Sequence, residues 1–341
     1  MSGAELSGAG LGPAELSVAG LTGAELSGAE LNAAELNAAE LSGAELSAGT
    51  VGVVTVTYGS GEALDHFLDS LPLASEQSLD VLIADNGSTD QAPQRGARRE
   101  GVRLLCTGGN LGYGRAANLG VAAVGGDWIM VCNPDVLWTA GAIDELLAVA
   151  KRWPRAGAVG PLIRDGNGEV YPSARELPTF FGGIAHAVLG SWWPANPWTR
   201  AYRRERSEPQ ERVAGWLSGA CLLLRRAAFD SVGGFDPRYF MYFEDVDLGE
   251  RLANAGWLNV YAPSAEVVHT GSHSTDQHKS SMFTEHHRSA YRYLSGRYSG
   301  VTGAPVRAML WLGLMARARL TPRLIEFTQR RKGKASADGL R

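Results

Sequence analysis

The run Trp128-Ile-Met-Val-Cys132 is the stretch that most narrows what this chain can fold into. Five consecutive apolar residues suit a strand covered on both faces and are too few for an ordinary helix. Asn133-Pro134 ends the run, because proline has no N–H to give to a central ladder, and Asp135 follows at once. Strands buried on both faces belong to α/β sheets, whose ligands collect beyond the carboxyl ends of the strands. A carboxylate at that place suits a hard divalent cation carrying a nucleoside diphosphate. It equally suits an N-cap for a helix starting near Thr139, or a turn.

Three earlier runs repeat the pattern. Val51–Thr57 is β-branched and apolar, and Tyr58-Gly-Ser-Gly-Glu62 turns it into a helix with Leu64, Phe67, Leu68 and Leu71 on one face. Leu79–Asp85 ends at a second acid, followed by Asn86-Gly-Ser-Thr-Asp90. Val102–Cys106 leads through a glycine-studded loop into a helix running through Asn118 to Val124. Strand, helix, strand at this spacing predicts parallel βαβ units. Four strand ends then gather Thr57, Tyr58, Asp85, the Asn110–Arg115 stretch and Asp135. Beyond them we expect a helix over 140–151, an edge strand over Ala158–Ile163 and one strand over Val213–Leu224. Gly215 and Gly219 in the last would let a ligand approach the backbone.

Phe235–Leu248 is a second chemical centre. Glu244, Asp245 and Asp247 stand where acids complement the start of a helix. Tyr239, Phe240, Tyr242 and Phe243 stand just before them, and a carboxylate among apolar neighbours has its pKa raised toward usefulness as a general base. Asp247 reads as helix support. After a strand at Gly256–Tyr261 come His269 and His273, each compatible with a surface histidine or a metal ligand.

Composition narrows the classes further. The 36 acids and 32 bases are unevenly spread: residues 1–50 hold seven glutamates and no Lys or Arg. No basic excess suggests a nucleic-acid partner. Cys106, Cys132 and Cys221 form no CxxC pair, which argues against a zinc knuckle or a disulfide framework and fits a reducing cytoplasm. No apolar run reaches the roughly 18 residues of a membrane span, and no signal peptide is evident.

The two ends carry separate patterns. From Leu6 to Leu46 a leucine falls at every fifth position, with alanine two residues before it. That step rotates about 140° on an α-helix and alternates faces on a strand, so neither collects the leucines. The stretch resembles the pentapeptide-repeat family, which winds into a four-sided β-helix; Glu or Gly here replaces the family's usual Asp or Asn. A short folded coil and a loosely ordered extension both fit. At the other end, Val306, Met309, Leu310, Trp311, Leu312, Leu314 and Met315 alternate with arginines and lead to Arg330-Arg-Lys-Gly-Lys334. This suits a helix lying in an anionic membrane surface, or one packed on the catalytic domain. The Trp- and Arg-rich stretch around 192–206 suits an acceptor-covering loop, a membrane-facing patch or a surface loop.

The combination over residues 51 to roughly 300 resembles glycosyltransferase family two, and so implies the GT-A fold, a mostly parallel α/β sheet flanked by helices. By that resemblance Thr57, Tyr58, Asp85, Asn86 and Asp90 hold the nucleobase and ribose, while Asn110, Gly112, Arg115 and Asn118 lie along the nucleotide. Asn133 and Asp135 stand where the family has D-x-D, in a variant seen in rhamnosyltransferase-like members. His269 then joins Asp135 as the ligand of Mg²⁺ or Mn²⁺. Asp245 is the implied base, and Glu244, Trp216 and Gly219 contact the acceptor. The implied reaction is inverting transfer of a sugar, L-rhamnose from dTDP-L-rhamnose in such members, to a polyprenyl-diphosphate-linked GlcNAc at the inner face of the plasma membrane. The expected divisions are a repeat extension (1–49), a nucleotide-sugar half (50–165), an acceptor half (166–300) and a basic tail (301–341). Two alternatives stand beside this: a UDP- or GDP-sugar donor, or a repeat-based binding protein with a vestigial transferase domain.

Overall fold

The computed structural model describes residues 50–178, 209–271, 279–298 and 300–315. The leucine repeat, the Trp- and Arg-rich stretch, His273 and the basic segment beyond 315 lie outside the described residues.

The four apolar runs form four parallel strands, β1 (Val51–Thr57), β2 (Leu79–Asp85), β3 (Val102–Cys106) and β4 (Trp128–Cys132), side by side as β3-β2-β1-β4. Their register sets Thr57 beside Asp85 and Asp85 beside Cys106, so the polar residues that end each run share one edge. The crossovers are α1 (Glu62–Ser70), the short α2 (Ala92–Gly96) and α3 (Tyr113–Ala123). Leu64, Phe67 and Leu68 of α1 are buried as their spacing predicts.

After β4 come β5 (Val136–Trp138), α4 (Ala142–Arg152), β6 (Ala156–Asp165), β7 (Val170–Tyr171) and β8 (Ala174–Arg175). Then follow β9 (Arg212–Ala214), β10 (Trp216–Leu217), β11 (Cys221–Arg225), α5 (Arg226–Ser231), α6 (Glu244–Asn254), β12 (Leu258–His269) and α7 (Lys279–Ser295). A last helix, α8, covers 304–315. The sheet continues β4-β11-β6-β12-β5, with β7 and β9 attached to β6 and β12, while β8 and β10 form a separate two-stranded ribbon. One apolar layer joins the sheet to α1 and α4 through Phe67, Leu64, Ile143 and Leu146; the opposite layer joins it to α3 and α6 through Ala117, Val121, Leu248 and Leu252.

Three expectations are corrected. Residues 158–163 lie within β6, an interior strand between β11 and β12 rather than an edge, because partners from later in the chain close both its sides. The single strand expected over 213–224 is three pieces. The break falls at a close backbone approach: a Cβ on Gly215 would stand 2.4 Å from the Leu177 amide nitrogen, so only glycine fits where the two backbones meet. Asp135 caps no helix; β5 intervenes, and Gly141, in the left-handed region, precedes α4.

Candidate active site

The carboxyl ends of β1–β4 form one wall of the site. The Thr57 hydroxyl donates to Asp85 Oδ1 at 3.2 Å, and the Ser88 amide donates to the same oxygen at 3.0 Å. Asn86 donates to Asn110 Oδ1 at 3.0 Å and accepts the Leu111 amide at 2.8 Å; Asn110 Oδ1 also accepts the Gly112 amide. Asp90 holds the loop after β1 by accepting the Gly61 amide at 2.9 Å, beside the exposed ring of Tyr58. Thr57, Asp85, Asn86, Asn110 and Gly112 are thereby joined in one network.

Arg115 and Asn118 face another way. Arg115 Nε donates to the Pro237 carbonyl at 2.9 Å. Asn118 donates to the Phe235 carbonyl at 2.8 Å and accepts the Phe235 amide at 2.9 Å. Both ends of its side-chain amide therefore clasp α3 to the loop that leads into α6.

The second group forms where β5 pairs with the end of β12, Val136 opposite His269. Asp135 Oδ1 lies 3.0 Å from His269 Nε2, and the Asn133 amide nitrogen lies 3.2 Å from the same atom. The Asp135 carbonyl accepts the Thr270 backbone amide at 3.1 Å, and the Asn133 backbone amide, distinct from its side-chain nitrogen, donates to the Ala220 carbonyl at 2.9 Å. Among the described residues no three His, Cys, Asp or Glu side chains stand together. One carboxylate and one imidazole are thus what the described site offers a cation here.

The third group is the turn before α6. Tyr242 and Phe243 both take φ of 67°, a conformation bulky side chains rarely adopt. Neighbours hold them there: the Ser289 hydroxyl donates to the Met241 carbonyl at 2.8 Å, and the His286 ring of α7 sits 5.4 and 5.5 Å from the two aromatic rings. On the other side the Phe240 carbonyl accepts the Tyr113 amide at 2.9 Å. That approach needs Gly112, since a Cβ there would stand 2.3 Å from the Phe240 oxygen. Asp245, at the start of α6, accepts the Gly219 amide at 3.0 Å, and the Tyr113 hydroxyl donates to the Gly219 carbonyl at 2.8 Å. Trp216 packs on Gly249 of α6, close to Gly219. Asp247 pairs with Arg251 at 2.7 Å, within the helix.

Glu244 is 7% exposed, and its Oε2 has no hydrogen-bond partner among the described residues. Burial, then the neighbouring Asp245 charge, pushes its pKa up to about 8. Burial also raises Asp245, but the Gly219 and Val246 amides and the Arg175 charge oppose the rise. The environments therefore separate the two acids: Glu244 holds its proton near neutrality, and Asp245 releases one more readily. Tyr113, Arg175, His286 and Ser289 were not singled out from the sequence. Tyr113 lay inside a quoted motif, yet nothing in the sequence places its hydroxyl on Gly219.

A mixed α/β sheet with this cluster at the strand ends, and an acid pair at the start of α6, is the arrangement of a glycosyltransferase of the GT-A kind. The chain belongs to glycosyl transferase family 2: it matches that family over residues 52–233, and glycosyl transferase family group 2 over residues 201–326. It is 56% identical over 283 residues to the N-acetylglucosaminyl-diphospho-decaprenol L-rhamnosyltransferase of Mycobacterium tuberculosis, a match covering 80% of this chain and 92% of that protein. It is 27% identical over 253 residues to the rhamnosyltransferase WbbL of Escherichia coli, covering 72% of this chain and 92% of that one. Among solved structures, a mannosyltransferase from Pyrobaculum calidifontis in complex with GDP-Man and Mn²⁺ shares the fold, with a TM-score of 0.50 at 17% identity over 86% of this chain and 79% of that one.

The buried acid has a consequence for stability. Folding raises the Glu244 pKa from 4.5 to about 8, so its contribution is full below the unfolded value and is lost as pH rises through the folded one. Glu244→Gln removes that dependence. Thermal melts should show the variant gaining on wild type at about pH 9 and not at about pH 4.

Proposed function

We propose that this chain transfers L-rhamnose, with inversion, from a nucleoside-diphosphate donor to a GlcNAc-diphospho-polyprenol acceptor. The observation that carries the reading is the 56% identity to the L-rhamnosyltransferase over 92% of that protein. That match also covers 80% of this chain. The donor lies along the network of Thr57, Asp85, Asn86 and Asn110, with Tyr58 at its edge; dTDP is the nucleotide we expect.

Asp135 and His269 fit a divalent cation. Their donor atoms are 3.0 Å apart, and both are hard or borderline donors. Mg²⁺ and Mn²⁺ suit a site with few protein ligands, the remaining positions going to phosphate oxygens and water. When bound, such a cation neutralises the departing diphosphate. The chain's own residues do the rest. Asp245, held by the Gly219 amide, takes the proton of an acceptor hydroxyl. The oxygen attacks the anomeric carbon from the face opposite the diphosphate, a C–O bond forms, and the bond to the diphosphate breaks. Glu244, protonated, donates a hydrogen bond that orients the acceptor.

The exposed side of α8 supports a membrane-surface location. Met309, Trp311 and Leu312 are 55%, 46% and 61% exposed, and the sequence beyond residue 315 holds eight Lys or Arg against two acids. No described helix is long and apolar enough to cross a membrane. We infer that α8 lies on an anionic leaflet with its apolar side down.

The direct test offers dTDP-L-rhamnose, UDP-sugars and GDP-sugars with a GlcNAc-diphospho-prenol, in the presence of Mn²⁺, Mg²⁺ or chelator. Rhamnosylated lipid and nucleoside diphosphate should appear only with dTDP-L-rhamnose and a divalent ion. Turnover of a UDP- or GDP-sugar alone would remove the rhamnose assignment, and undiminished turnover in chelator would remove the metal.

Asp245→Asn should lower kcat by about 10²–10⁴ while donor affinity stays within about twofold. In the wild type, kcat should rise with pH along a limb whose midpoint lies above the usual carboxylate range, because burial raises Asp245. A variant with normal kcat and weakened donor binding would overturn the assignment of the base.

Flotation with vesicles containing anionic lipid should carry the full chain upward and leave a version lacking 304–341 behind. Equal flotation of both would rule out α8 and its basic extension as the anchor.

A further inference from the structure

Beside the acid pair lies a second feature that none of the expected roles covers. The ribbon of β8 and β10 pairs Arg175 directly with Trp216. The Arg175 guanidinium carbon sits 5.3 Å from the centre of the Trp216 ring and 5.4 Å from that of Tyr171, so both aromatic rings flank one cation. Arg175 Nε donates to the Pro172 carbonyl at 2.8 Å, and the indole N–H of Trp216 donates to the Glu176 carbonyl at 3.1 Å. The ribbon is anchored to the catalytic helix, since Trp216 rests on Gly249 of α6 and Asn259 donates to both the Gly215 and Gly249 carbonyls. Leu177 and Trp216 pack in the same small cluster as Val246 and Phe243, next to the acids. A guanidinium mounted this way has lost most of its conformational freedom and keeps its fork geometry.

The placement answers an electrostatic need. An acceptor joined to its lipid through a diphosphate brings about two negative charges toward the Asp245 carboxylate, and like charges in a poorly solvated site repel. The Asp135–His269 group lies at the junction of β5 and β12 and is suited to the donor's diphosphate. The acceptor's diphosphate needs a cation on the ribbon side. Arg175 stands opposite Trp216, which rests on the same helix that carries Asp245, and planar forked donors recognise phosphate oxygens in pairs.

We propose that Arg175, held between Tyr171 and Trp216, binds the diphosphate of the acceptor and so selects diphosphate-linked over uncharged glycosides. This rests on the acceptor class proposed above and assigns the residue that recognises it. Trp216 then has two tasks, as a support for the guanidinium and as an apolar face for the acceptor sugar.

The test measures binding and transfer with two probes: a short-chain prenyl diphospho-GlcNAc and an alkyl GlcNAc glycoside without phosphate. Arg175→Gln should weaken binding of the diphosphate probe roughly tenfold to hundredfold, with little effect on the phosphate-free probe or on donor affinity. Arg175→Lys, which keeps the charge but not the fork, should recover part of the loss, and its fold is the less disturbed of the two. Arg99→Gln, on the far surface where Arg99 pairs with Asp69, serves as the charge-matched control. Equal losses with both probes would overturn the proposal. So would a fall confined to kcat with a displaced pH profile, which would mean that Arg175 acts only on Asp245. Failure of the wild type to bind the diphosphate probe would overturn it too. Arg175-dependent binding of that probe without rhamnosyl transfer would uphold this inference and remove the sugar assignment. Transfer undiminished in Arg175→Gln would do the reverse.

Discussion

The close approach of Gly112 and Tyr113 to Phe240 is the contact on which the rest of the site depends. It is backbone against backbone, so it tolerates no side chain at residue 112. It fixes the start of α3 against the turn that leads into α6. From that junction Tyr113 reaches the Gly219 carbonyl while Asp245 takes the amide of the same residue. One glycine between β10 and β11 is therefore gripped from both halves of the molecule. Asn118 and Arg115 reinforce the junction by bonding to the backbone of Phe235 and Pro237. The position of the proposed base relative to the strand ends is a consequence of these contacts rather than of α6 alone.

The site also shows how a stable framework carries unfavourable local terms. Two adjacent aromatic residues in the left-handed region each cost of the order of 1–3 kcal/mol, and a buried carboxyl oxygen with no partner among the described residues adds to that. They persist because α7 holds the turn from outside through Ser289, His286 and Tyr293. The apolar layers on both sides of the sheet supply the compensating stability. What is gained is two neighbouring acids with different proton affinities, the property a base and a proton-donating neighbour require.

Legibility varied with how local each signal was. Strands β1–β4 and helix α1 could be read directly, since each run carries its own apolar pattern and ends at its own polar residue. The interior position of β6 could not, because β11 and β12 come from later in the chain and nothing within Ala156–Asp165 announces them. The need for glycine at 215 was hidden for a related reason: the backbone that crowds it is that of Leu177, far away in sequence. Asp135, Glu244 and Asp245 stood out as acids at element boundaries. The family itself came from the motif combination, and the match over 52–233 bears out the family. Arg175 had no signal, as an arginine in an irregular segment is indistinguishable from a solvated one until Tyr171 and Trp216 are placed beside it.

The sequence by itself determined the class of fold and the residues available for chemistry, because hydrophobic periodicity and the residues that interrupt it act within a few positions of one another. The tertiary structure decided which of them meet. Strand pairing joined His269 to Asp135. Burial raised both Glu244 and Asp245 while the Gly219 and Val246 amides opposed the rise at Asp245, and packing turned Asn118 into a clasp and Arg175 into a mounted cation. Those outcomes depend on distances and solvent exclusion between segments remote in the chain, and no local pattern encodes them.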